Sequence, residues 1–211
     1  VKIDLRLGDC LEILPTLPDK SVDAIITDPP YGIDKADWDG DVWDLLKGAA
    51  DECARIIKPE GVCFWFCSIR YLPKALEATA AIPYRWQFIW YASNNMQHGD
   101  IGFAKYTPCL VLSHGKAWRN MQDLRNVAIP PKPVKNIGHP TQKPIDLIKY
   151  LVEKTTKEGG VVLDPFIGSG TTAVACVELG RDFVGCELKP EYYDLAQRRI
   201  AEAQKQMVMP L

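Results

Sequence analysis

Val22-Asp23-Ala24-Ile25-Ile26-Thr27-Asp28-Pro29-Pro30-Tyr31 is an apolar, β-branched run that stops on an acid, two prolines and an aromatic ring. Six apolar-rich residues of this type read as a buried parallel strand. The prolines can continue neither a ladder nor a helix, so the chain must turn there with restricted dihedrals. A carboxylate, a rigid prolyl carbonyl and an aromatic ring are thereby held at the carboxyl end of a strand. In open α/β sheets that edge is where ligands bind.

A second strand end of the same kind lies far downstream. Val161-Val162-Leu163-Asp164-Pro165-Phe166-Ile167-Gly168-Ser169-Gly170-Thr171-Thr172 reads as strand, glycine-rich turn and helix start. The glycines let backbone approach a ligand, and the helix N-terminus offers N–H groups. Seventeen residues past Gly170, Glu187 closes the next strand, where a carboxylate can accept both hydroxyls of a ribose. It is not a phosphate loop, because no Lys follows the glycines in the required place, and the third glycine of the dinucleotide fingerprint is missing. Asp164 would repel a pyrophosphate. A zwitterionic or cationic ligand, such as an amino-acid sulfonium, suits the turn better.

Working outward, strands are expected at Lys2–Leu7, Val22–Thr27, Val62–Cys67, Arg85–Tyr91, Pro108–Leu112, Val161–Leu163 and Phe183–Cys186. Helices are expected at Leu11–Leu14, from Asp44 as cap to Ile57, at Pro73–Ala80, from Pro144 to Val152, and at Thr171–Leu179 and Glu191–Ala203. Pro59-Glu60-Gly61 and Gly159-Gly160 are the expected stops. Strands alternating with helices give an α/β fold with a largely parallel sheet. After His114 the pattern dissolves into the proline-rich, basic Ile129-Pro130-Pro131-Lys132-Pro133, and long loops of this type are usually functional or disordered.

The 211 residues suffice for one α/β domain with a sizeable core. No run of about 18 apolar residues and no basic-then-apolar leader appears, so neither a membrane span nor secretion is expected. The seven cysteines, Cys10, Cys53, Cys63, Cys67, Cys109, Cys176 and Cys186, match no zinc spacing and read as reduced core residues. His98, His114 and His139 are scattered and show no metal pattern. Net charge is −2, but residues 101–149 hold eight basic residues against Asp123 and Asp146, a net of +6. The stretch 34–44 is acidic instead, so one face attracts phosphate while another does not.

The ordered blocks Gly8-Asp9-Cys10, Asp28-Pro29-Pro30-Tyr31-Gly32, Lys58-Pro59-Glu60-Gly61, His139-Pro140-Thr141-Gln142-Lys143-Pro144, Asp164–Thr172 and Gly185-Cys186-Glu187 together resemble a known family. This is the S-adenosylmethionine-dependent DNA amino-methyltransferases, in the permuted group whose catalytic tetrapeptide precedes the cofactor motif. The resemblance covers residues 3–114 and 138–203. It implies a Rossmann-like, seven-stranded methyltransferase sheet, mostly parallel with its last strand inserted antiparallel, and helices on both faces. A single catalytic domain over 1–211 is implied. Within it, about 115–137 would be a short target-recognition insert, assisted by the polar loop 93–106.

Asp28, Pro29, Pro30 and Tyr31 are the implied catalytic residues. Gly168, Ser169, Gly170 and Thr171 would hold the methionine part of S-adenosylmethionine, with Thr141 and Lys143 reaching its carboxylate. Glu187 would take the ribose, Asp9 and Cys10 would lie at the adenine ring, and Asp28, Asp164 and Phe166 would complete the cofactor site. Lys116, Arg119, Arg125, Lys132 and Lys135 are the expected contacts to DNA phosphate or base edges. The implied partners are DNA, a second copy of the chain and a cognate restriction enzyme. The implied location is the cytoplasm of a prokaryotic cell or virus-infected host.

The residue chemistry agrees. An exocyclic amine on a base is a poor nucleophile because its lone pair is delocalised into the ring. Two acceptors, the Asp28 carboxylate and the Pro29 carbonyl, would favour the localised lone pair that attacks a methyl in line. Tyr31 offers a stacking face to a base flipped from the duplex. No cysteine nucleophile is required, so Cys109, although it follows Pro108, reads as a buried strand residue. Asp at the first tetrapeptide position resembles the adenine-N6 enzymes; cytosine-N4 methylation is the alternative. A non-catalytic S-adenosylmethionine- and DNA-binding module is the rival of another class, disfavoured by intact Asp28, Pro29 and Tyr31. A nicotinamide oxidoreductase fails on the fingerprint.

Overall fold

The computed structural model describes residues 1–32, 42–91, 97–98, 103–115, 127–128 and 142–208. The strands of its main sheet are β1 (Ile3–Leu7), β2 (Val22–Thr27), β3 (Ile57–Phe66), β4 (Tyr84–Tyr91), β7 (Tyr106–Leu112), β9 (Val161–Asp164) and β10 (Asp182–Glu187). The two-residue strand β8 (Val127–Ala128) is added at the edge, and β5 (Gln97–His98) pairs with β6 (Phe103–Ala104) as a separate hairpin. The order of the main sheet is β1-β10-β9-β2-β3-β7-β4-β8, and within that sheet only β7, against β3 and β4, pairs antiparallel among the described residues.

The expected seven-stranded, mostly parallel sheet is therefore present. Its antiparallel strand lies mid-chain instead of last, because β9 and β10 follow it in sequence. Two stretches read as irregular contribute backbone pairing: the polar loop supplies the β5–β6 hairpin, and β8 runs parallel to Ile89 and Trp90 of β4. Backbone pairing of so few residues leaves no periodicity to read.

Alternation along β3 builds the core on both faces. Val62, Phe64 and Phe66 point to one side, with α4 (Ile145–Thr155), α5 (Thr171–Leu179) and α6 (Pro190–Val208) covering it. Cys63, Trp65 and Cys67 point to the other, under α1 (Cys10–Ile13), α2 (Trp43–Ile56) and α3 (Leu72–Ala78). Such period-2 partition is what a strand buried on both sides requires. All seven cysteines are free and buried, as expected of core residues. Among them Cys109 lies fully buried in β7, its thiol pushed well up by burial.

Two local expectations are corrected. Asp44 does not cap α2: Val42 holds that position without a side-chain bond, and Asp44 sits in the first turn. There its charge still favours the helix N-terminus. The segment Pro59–Gly61 does not separate helix from strand, since β3 begins at Ile57 and its pairing with β2 skips from Val22↔Ile57 to Ala24↔Val62. Gly61 permits that irregularity, because a Cβ there would lie 2.6 Å from Ile57 Cγ1 and 2.9 Å from the Asp23 carbonyl oxygen. No described helix is long and apolar enough to cross a membrane.

Candidate functional site

The two strand tips meet. β2 and β9 are parallel neighbours, with Ala24 opposite Val162 and Ile25 opposite Leu163. Asp28 and Pro165 consequently leave the sheet at the same edge. Thr27 Oγ1 donates to Asp164 Oδ1 at 2.8 Å, Thr172 Oγ1 donates to Oδ2 at 2.7 Å, and the Phe166 N–H donates to Oδ1 at 3.2 Å. Asp164 is buried, and burial pushes its carboxyl up to about 6 although the two hydroxyl donors oppose the shift. Its side chain thus ties β2, β9 and α5 together beneath the cleft.

The glycine turn is pressed onto α6. Gly170, at φ +83°, caps α5 in the left-handed region, and a Cβ there would stand 2.9 Å from Ala196 Cα. Glu187 faces the turn from the tip of β10. Its Oε2 accepts the Gly168 N–H and its Oε1 the Lys189 N–H, both at 2.9 Å. Each oxygen keeps a further lone pair for a diol. Burial raises the Glu187 carboxyl, against the pull of those N–H donors.

At the adjoining tip of β1, Asp9 Oδ1 accepts the Leu11 N–H at 2.8 Å, and the Gly8 N–H reaches the Glu187 carbonyl at 2.9 Å. Cys10 is buried beside it, its thiol pushed up to about 12 by desolvation first and Asp9 second.

The tetrapeptide edge holds a cation. Asp28 Oδ1 accepts the Tyr31 hydroxyl proton, and Oδ2 is ion-paired with Lys143 Nζ, which lies 3.2 Å from the Tyr31 oxygen. The Lys143 side chain is 8% exposed and that of Asp28 22%. Around the ammonium stand the rings of Phe66 at 5.2 Å and of Tyr31 and Trp90 at 5.6 Å, distances at which ring quadrupoles attract a cation. Burial first, then the Asp28 charge, holds the Tyr31 phenol well above its ordinary pKa. Pro29 and Pro30 are buried behind it.

The structure therefore brings Asp9, Cys10, Asp28, Asp164, Phe166, Gly168–Thr171 and Glu187 to one edge of the sheet. Lys143 lies on Asp28, so a reach to the methionine end would need the ammonium to leave that carboxylate. Thr141, Lys116, Arg119, Arg125, Lys132 and Lys135 lie outside the described residues. Four residues at the site were not singled out from sequence: Thr27, Phe66, Trp90 and Arg199. Arg199 Nη1 donates to the Ser169 carbonyl at 2.5 Å and lies 3.2 Å from the hydroxyls of Ser169 and Thr171, supporting the turn from behind. Its mark in the sequence is a cation inside the buried stripe Ala196, Ile200, Ala203 of α6.

The N6/N4 methyltransferase family model, described as DNA methylase, matches residues 22–198. DNA adenine methyltransferase YhdJ of Escherichia coli (strain K12) is 28% identical over 240 residues, covering 92% of this chain and 81% of that protein. Among solved structures, the M1.HpyAVI–SAM complex aligns with a TM-score of 0.71 at 29% identity, over 93% of this chain and 99% of that one. The cytosine-N4-specific PvuII DNA methyltransferase shares the fold, with a TM-score of 0.78 at 17% identity over 98% and 93% of the two chains.

Proposed function

Because the chain belongs to the N6/N4 DNA methylase family, we propose that it methylates the N6 amino group of adenine in DNA, by direct transfer to a base flipped from the duplex. S-adenosylmethionine is its methyl donor, and supplies an electrophilic methyl on a sulfonium centre. The residues present suit that group. Glu187 is fixed by two backbone donors with lone pairs left for a ribose, and the turn at Gly168–Thr171 stands beside it at the same edge, over the buried Asp164 carboxyl.

The observation that carries the proposal is the Asp28 carboxylate, held at a strand tip and already accepting from an ammonium among three aromatic rings. A site that binds a protonated amine in this way can accept the N–H of a base amine. Asp28 and the Pro29 carbonyl then localise the nitrogen lone pair, and Tyr31 supplies a face for the base. Gly168, Ser169, Gly170 and Thr171 are proposed for the methionine part, and Asp9, Cys10 and Phe166 for the adenine end, where Leu188 also exposes an apolar side chain next to Glu187. Thr141 and Lys143 complete the proposal at the methionine carboxylate. For Lys143 this requires releasing Asp28, which must happen in any case before a base amine can use that oxygen.

Adenine is favoured over cytosine by Asp28 at the first tetrapeptide position and by the likeness to YhdJ, a DNA adenine methyltransferase. Lys116, Arg119, Arg125, Lys132 and Lys135 are proposed to contact DNA from the insert within a single catalytic domain, in the cytoplasm. Self-association and a cognate restriction enzyme belong to the same reading; plasmid from cells expressing the protein should then resist an endonuclease of the same site. The direct test uses labelled S-adenosylmethionine and unmethylated DNA, followed by digestion and mass spectrometry. N6-methyladenine is expected. N4-methylcytosine would replace the base assignment, and no label on DNA would overturn methylation itself.

A further inference from the structure

Lys143 Nζ marks a place as well as a partner. A base amine that takes the ammonium's place on Asp28 Oδ2 comes to lie between Tyr31, Phe66 and Trp90. The Trp90 ring, whose centroid lies 5.6 Å from the ammonium, carries an unused donor. Trp90 is 6% exposed, and its indole Nε1 is buried without a hydrogen-bond partner. Gln142 Oε1, one residue from Lys143, is likewise buried and unpartnered; among the described residues these are the two such side-chain atoms. A buried donor left unpaired is destabilising, and native proteins keep few of them without a reason.

We infer that the Trp90 indole N–H reads the target base, by donating to the ring nitrogen next to the carbon that carries the amino group. The inference rests on the methylation of a base amine at Asp28. In both adenine and cytosine that ring nitrogen is two C–N bonds from the amine, about 2.3 Å at bond lengths of about 1.33 Å. A donor to it stands about 2.9 Å further on, so up to about 5 Å from the amine. The Trp90 ring centroid lies 5.6 Å from Lys143 Nζ; since the indole N–H points in the plane of its ring, the base must come to the indole edge, with its ring nitrogen nearer Trp90 than its amine. A ring nitrogen that accepts this bond satisfies the donor only when the base is in place, so binding of the correct edge is favoured over an edge presenting C–H. The Gln142 amide can present either end after a half-turn, and expresses no preference between the two bases.

The test is a two-by-two comparison of protein and substrate. Wild type and Trp90→Phe are assayed on duplexes whose target base is adenine or 1-deazaadenine, which keeps the amine and replaces the ring nitrogen by C–H. Trp90→Phe should lower kcat/KM on adenine about tenfold, the scale of one buried hydrogen bond. The deaza base should cost wild type a similar factor and cost the variant less than about threefold further. S-adenosylmethionine titration of Trp90→Phe reports that the variant is folded. Equal loss on both substrates, or no loss on adenine, would overturn the inference. Should wild type label cytosine instead, 3-deazacytosine replaces the analogue with the same expectation. Failure of wild type to label either base would sink the methylation reading beneath it, an outcome distinct from a null effect of the substitution.

Discussion

Removing the carboxylate of Asp28 should affect stability and turnover through two separable routes. In Asp28→Ala the Lys143 ammonium, only 8% exposed, loses its counter-charge while remaining among three rings. Two unit charges in contact at about 2.8 Å attract by about 6 kcal/mol at an effective dielectric of 20, before desolvation is subtracted. Breaking a buried pair by deleting one member costs about 3–5 kcal/mol. Because Asp28 keeps 22% exposure, the lower end applies, and a loss of about 3 kcal/mol is expected.

Lys143→Met leaves Asp28 with the Tyr31 hydroxyl and some water, so about 1–2 kcal/mol is expected there. The double variant should lose less than the sum, by about 2 kcal/mol, because the second change removes the charge stranded by the first. Urea denaturation followed by circular dichroism measures all four proteins. Turnover of Asp28→Ala should fall at least about a hundredfold, the scale of one misplaced transition-state acceptor, while S-adenosylmethionine affinity by calorimetry changes only a few-fold. Additive stabilities would refute the pairing. Parallel loss of cofactor affinity and turnover would mean that Asp28 serves the cofactor and not the amine.

Other consequences follow from the same edge of the sheet. Glu187→Gln should weaken S-adenosylmethionine binding about tenfold or more, since a charge-assisted hydrogen bond to a hydroxyl is replaced by a neutral one. Because burial raises the Glu187 carboxyl, wild-type affinity measured calorimetrically should begin to decline at a higher pH than for an ordinary glutamate as pH falls. Asp164 has a folded-state pKa of about 6, above its unfolded value, so its contribution to stability is full at low pH and is lost as pH rises through 6. Urea midpoints from pH 5 to 8 should therefore decline less with pH in Asp164→Asn than in wild type, where this group accounts for about 1.5 kcal/mol of the decline across that window. Gly170→Ala places a Cβ 2.9 Å from Ala196 Cα at φ +83°. It should destabilise by about 2 kcal/mol or more, read as a lowered melting temperature together with weakened cofactor binding.

Local sequence determined a great deal. Val22–Thr27 and Val161–Leu163 are strands because short β-branched runs can hide both faces only in a covered sheet. The turns after them are forced by prolines and glycines whose dihedral limits act within one or two residues. The acids at both tips follow directly from those turns.

What tertiary structure alone decided is which distant side chains share those tips. Lys143 reaches Asp28 across 115 residues, and Thr27 reaches Asp164 across 137. Trp90 comes to the same place from β4, two strands beyond β3, and Arg199 comes to the glycine turn from α6. Those meetings depend on strand order and register. Periodicity records only which face of its own element a residue occupies, and says nothing about the element lying opposite.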